Sequence, residues 1–153
     1  MKMKTNIFAT GLAAVLVGLV LVTSSGATAA KNPPEMPRIL SNARFVYVVA
    51  YDGNQFDPRL LPEDREAIAR VQDAIQKWGK LIVVYRPQDA DILLVVQSRP
   101  SEDVLALYDA HWGDAASGPS QQYLWRVMAR GGLQKGEMPL ISQFEKAWDK
   151  VTH

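Results

Sequence analysis

Apolar residues along this chain change their spacing several times, and each change marks an element. Residues 44–51 (RFVYVVAY) carry β-branched and aromatic side chains on both parities with no charge after Arg44. That pattern predicts a central strand covered on both faces. Asp52, Gly53 and Asn54 end it in a tight turn. From Pro62 the period becomes helical: Ile68, Val71, Ile75 and Trp78 form one stripe, with Ala67 and Ala74 beside it. Pro62 suits the first helical position, and Glu63 and Asp64 oppose the helix dipole. Glu66 with Arg70 and Asp73 with Lys77 sit four apart on the outer face, and Gly79 stops the helix.

Two short apolar runs follow, at 81–85 (LIVVY) and 92–96 (ILLVV), separated by RPQDAD. Strand, helix, strand is a right-handed βαβ unit, so the first two strands are expected to be parallel. The link into the third strand fits either a hairpin or a crossover through one turn at Pro87 to Ala90. Residues 104–108 and 123–129 alternate as two strands of a hairpin. Their connection, 109–122, is far longer than usual, and such loops tend to be functional or mobile. Pro139 opens a last helix whose stripe is Leu140, Ile141, Phe144, Trp148 and Val151, with Gln143, Lys146 and Lys150 opposite.

The expectation is one α+β domain over 43–153. It is a two-layer sandwich with a mixed sheet of about five strands, in βαβββα order, and both helices on one face. Residues 31–42, with three prolines in KNPPEMP, read as a linker. Residues 1–30 read as an export signal: Lys2 and Lys4 precede the uncharged run Ile7 to Val22, and Ala27 and Ala29 offer a cleavage site near Ala29 or Ala30. The implied location is periplasmic or secreted, with membrane attachment only if that segment stays uncleaved.

Removing the signal lowers the 17 Lys+Arg by two, against 16 Asp+Glu. The remaining near-neutral balance, without a basic run, gives no electrostatic basis for nucleic acid as a partner. There is no cysteine, so neither a lipid-bearing thioether nor a disulfide is available.

Candidate chemistry is sparse. Nucleophilic catalysis needs a base held by a third group, and His111 is the one credible base, with no serine marked out to partner it. Asp109, His111 and Asp114 match no established metal-ligand spacing. Gly131, Gly132 and Gly136 lack the lysine and hydroxyl of a phosphate loop. Asp52 follows the central strand, where open α/β sheets place ligand crevices. Asp89 or Asp91 would join it there as an acid–base pair if the third strand brought them close. Trp78, Trp125 and Trp148 belong to apolar stripes and read as core. Trp112 stands in the long connection beside Tyr108 and His111, and those three form the candidate binding surface, with an exposed sheet edge as a further one.

The run Trp78 to Val96 (WGKLIVVYRPQDADILLVV), preceded by a strand and an amphipathic helix, resembles a module of small bacterial envelope proteins. In that module a helix ending in Trp-Gly leads to a short strand, then to an Ala-Asp pair opening an apolar strand, here Ala90-Asp91. Leu107-Tyr108-Asp109 and Leu124-Trp125-Arg126 look like the hairpin that follows. The layout is similar to the amino-terminal domain of the Tol translocation protein and to curli-secretion-like domains. That resemblance implies assembly or binding, with no catalytic residue to carry over; the expected partner is another envelope protein, and no cofactor is expected. The chain departs from the pattern in lacking a lipid-anchoring cysteine and in its longer, His111- and Trp112-bearing hairpin loop.

Overall fold

Parallel pairing of the first strand with two others sets the architecture. In a computed structural model, which describes residues 34–111, 123–134 and 136–153, the strands are β1 (Phe45–Ala50), β2 (Ile82–Val84), β3 (Ile92–Ser98), β4 (Asp103–Asp109) and β5 (Trp125–Ala129). The helices are α1 (Pro62–Trp78) and α2 (Pro139–Thr152). One five-stranded sheet runs β2-β1-β3-β4-β5. β1 is parallel to β2 and β3, and β4 is antiparallel to β3 and β5. The fold is the expected α+β class with a mixed sheet. It has one strand more than βαβββα order, because both strands of the last hairpin follow β3.

A single 3-10 turn, Pro87–Asp89, carries the chain from β2 over to the far side of β1. The crossover is therefore the alternative that holds, and β2 and β3 do not pair.

α1 begins with Pro62 and stops where Gly79 adopts φ 75°, its N–H donating to the Ile75 carbonyl at 3.0 Å. Ala67, Ile68, Val71 and Ile75 are fully buried. They meet Val46, Val48, Leu94 and Val96, the side chains of one parity on β1 and β3. The same face continues through Leu105, Leu107, Trp125 and Val127 to Phe144 and Trp148 of α2. Both helices thus cover one face. Phe144 sits among three indoles, with ring centroids 5.9 Å from Trp78, 5.8 Å from Trp125 and 5.7 Å from Trp148.

The segment read as a linker is a working part of this core. Met36 and Leu40 are buried in it, Leu40 within a 3-10 turn at Arg38–Asn42 that precedes β1. The Trp125 indole N–H donates to the Pro34 carbonyl at 2.9 Å. Prolines exclude helix here but still leave two apolar side chains free to insert, so the packed domain starts several residues ahead of residue 43.

Gly132 is needed for closeness rather than for backbone freedom. A Cβ there would lie 2.5 Å from Leu140 Cγ and 3.2 Å from the Ala129 carbonyl. Gly132→Ala is expected to push α2 off the sheet and cost about 1–3 kcal/mol. Thermal unfolding followed by circular dichroism checks this, and an unchanged midpoint would show that Leu140 yields freely.

Candidate functional site

Alternation along a strand sends every second side chain to the face the helices do not cover. Register assembles those side chains into rows. Val84, Tyr47, Leu93 and Tyr108 stand side by side across β2, β1, β3 and β4. Val49, Val95, Ala106 and Arg126 make the next row, and Gln97, Val104 and Met128 a third. Tyr47, Val95 and Ala106 are buried yet stand outside the main core. Phe45, Tyr51, Ile82, Tyr123 and Met128 are exposed around them. Among the described residues no helix or strand lies over this face. Arg126 is the one charged side chain in the three rows, and its guanidinium lies 5.7 Å from the centre of the Tyr123 ring.

Tyr108 is half-buried at the β4 end of the first row. Burial pushes its phenol above the ordinary value, and the Arg126 charge opposes that shift. Tyr47 is raised by burial as well. Both phenols are neutral at physiological pH, so they offer apolar rings with hydroxyl tips rather than bases.

His111 is exposed just beyond β4. Its backbone N–H donates to Asp109 Oδ1 at 2.8 Å, and its Nδ1 lies 3.4 Å from the same oxygen. Trp112 and Asp114 lie outside the described residues. Among the described residues no group of three His, Cys, Asp or Glu side chains could hold a metal ion.

The carboxylates considered as an acid–base pair are not brought together. Because β1 and β3 run parallel, Asp91 lies beside the start of β1, whereas Asp52 follows its end. β1 alone spans about 17 Å. Asp91 Oδ2 accepts the N–H groups of Arg44 at 2.8 Å and Phe45 at 2.9 Å. Asp89 is held bidentately by Arg86, at 2.6 and 2.9 Å. Asp52 Oδ2 accepts from Arg99 Nη2 at 2.7 Å. Each is committed to fastening backbone or a cation.

Burial pushes the Asp91 carboxyl up, but the two N–H groups and the nearby His111 and Arg44 charges outweigh it and hold the group below the usual carboxylate range. A depressed folded-state value means that its stabilisation is present above the unfolded value of 3.8 and is lost as pH falls through the folded one. Asp91→Ala is expected to cost about 1–3 kcal/mol near neutrality, by leaving two N–H donors unmatched. It should also flatten the acid limb of stability below about pH 4. Urea unfolding at pH 7 and pH 3 measures both, and identical losses at the two values would contradict this assignment.

What occupies the carboxyl end of β1 and β3 is an ionic network, missed because Asp64 reads as a surface residue of the first helical turn. Asp64 is fully buried. Its Oδ1 accepts from the Ser98 N–H at 2.7 Å, and its two oxygens accept from Arg99 Nη1 at 2.8 and 2.7 Å. Asp103, also fully buried, accepts from the Ser98 hydroxyl and from the Leu133 N–H, each at 2.8 Å. The hydrogen bond to Asp64 raises the Arg99 guanidinium above its ordinary value, against the effect of burial. With both oxygens of Asp64 and both of Asp103 engaged, this network locks chain segments together. The hint in the sequence is Ser98-Arg99, a polar pair closing an apolar strand.

No protein-family model matches the chain, and no curated protein matches it. Among solved structures, a PelC dodecamer from Paraburkholderia phytofirmans is similar over 79% of this chain and 89% of that one, at 13% identity and a TM-score of 0.33, a likeness too distant to bear on function.

Proposed function

We propose that this chain is an exported, non-enzymatic interaction or assembly module of the bacterial envelope. It makes its contacts through the helix-free face of the sheet around Tyr108, and its partner is another envelope protein. The observation that supports this is the composition of that face: eleven positions in three rows, of which Arg126 alone is charged. Of the eleven, Arg126 and Met128 are exposed, with Phe45, Tyr51 and Ile82 exposed around them, and Tyr, Phe, Met and Arg are enriched where proteins meet. The export signal read at residues 1–30 supplies the compartment.

Immobilised protein beginning at Lys31 tests the proposal by capture from envelope extracts. Met128→Glu places a charge on the face at an exposed position. It should lower recovery of bound proteins about tenfold or more while leaving the unfolding midpoint within a few degrees. Ala69→Glu, on the exposed side of α1, should leave recovery unchanged. Equal recovery by the two variants would overturn the assignment of the face.

A further inference from the structure

The end of α1 meets the second half of α2 at a seam that holds one cation and two carboxylates. Lys80, two residues beyond α1, places Nζ 2.6 Å from Asp149 Oδ1 and 5.6 Å from the centre of the Trp78 ring. Trp78 in turn meets Trp148 edge to face, with centroids 6.4 Å apart. Among the described residues, Lys80–Asp149 is the one ion pair that α2 makes. Glu145 stands one helical turn before Asp149, on the same side of α2. Both carboxylates are half-buried.

The other elements packed on α2 bring apolar side chains to it: Leu105 and Leu107 from β4, Trp125 and Val127 from β5, and Leu40 from the turn at Arg38–Asn42, whose Arg38 is exposed. Lys146 and Lys150, the remaining charges of the helix, are exposed as well. Glu145 is therefore faced by the charges of Asp149 and Lys80. Lys80 is already committed to Asp149.

We propose that acid tightens this seam. A proton taken from solvent by the Glu145 carboxylate removes its repulsion with Asp149 and leaves Lys80 to a single partner, so the second half of α2 seats more firmly at mildly acidic pH than at neutrality. Burial, and after it the Asp149 charge, push the Glu145 carboxyl above its ordinary 4.5, while Lys80 opposes the shift. A raised folded-state value contributes stability that is fully present below 4.5 and is lost as pH rises through the folded one. That sign is opposite to the one at Asp91. Whole-molecule unfolding mixes the two, and a local measurement separates them.

Amide hydrogen exchange of the α2 backbone, followed by mass spectrometry and expressed as protection factors, reads the seam locally. At pH 7, Glu145→Gln is expected to raise the protection of α2 about twofold or more over the wild type, and at pH 4 the two proteins should match. Comparing them at each pH cancels whatever His153, at the end of the same helix, contributes. Asp149→Asn frees Lys80 for Glu145, so in that background the gain from Glu145→Gln at pH 7 should shrink. Absence of a gain at pH 7 overturns the proposal. So does a gain of equal size at pH 4, which would come from the helix preference of glutamine rather than from charge. A gain that survives undiminished in Asp149→Asn overturns it as well.

Discussion

Phe144→Ala is expected to cost about 3–5 kcal/mol, the largest loss from any single apolar truncation here. The ring is fully buried on α2 and touches three tryptophans from three elements, with edge contacts to Trp78 and Trp125 and a tilted one to Trp148. Such aromatic contacts add about 0.5–1.5 kcal/mol each beyond the buried area. Indoles are too bulky to collapse into the space a benzyl group vacates, so the cavity persists. Domains of this size hold about 5–15 kcal/mol in all, so this change removes roughly a fifth or more of the total. Urea unfolding followed by tryptophan emission reports it directly, because three of the four indoles surround the site. A loss under about 1 kcal/mol would mean that α2 is not packed as described.

Asp64→Ala follows, at about 3 kcal/mol, through electrostatics rather than volume. Removing the carboxylate leaves the Ser98 N–H without its acceptor and takes two of the contacts that neutralise Arg99. Breaking one side of a buried ion pair costs about 3–5 kcal/mol. The lower end applies because Asp52 stays 2.7 Å from the other guanidinium nitrogen, partly open to solvent. The double variant Asp64→Ala, Arg99→Met should recover part of the loss, since no uncompensated charge is then left inside. Urea is the denaturant of choice because it leaves ionic strength constant. A double variant as unstable as the single one would show that the cost lies in the Ser98 backbone contact instead.

These two sites differ in how readable they are. The aromatic cluster is written in the sequence: Trp78, Phe144 and Trp148 recur at helical spacing and Trp125 at strand spacing, so their burial follows from periodicity. Both helices, all five strands and the shared helix face follow in the same way. Asp64 and Asp103 are not legible, because a carboxylate in a first helical turn or in a polar link has the same local sequence whether it faces water or, as here, Arg99 for the one and Ser98 with the Leu133 N–H for the other. Spacing also fails for Asp52 and Asp91. Their separation depends on whether the turn at Pro87 folds back or crosses β1, and either route satisfies the local chemistry of RPQDAD. Met36 and Leu40 were hidden for a different reason. Proline-rich stretches signal absence of helix, and an extended segment can still pack. Tyr108 was legible as a candidate contact, but the surface it belongs to emerges only once register aligns it with Leu93 and Tyr47.

The hydrogen bond from the Trp125 indole to the Pro34 carbonyl gives this protein a built-in reporter. In a proton magnetic resonance spectrum, the indole line of Trp125 should exchange with deuterium only when the leading segment lifts from β5. The slowing of that one signal therefore measures how firmly the chain's start is clasped, without any label added.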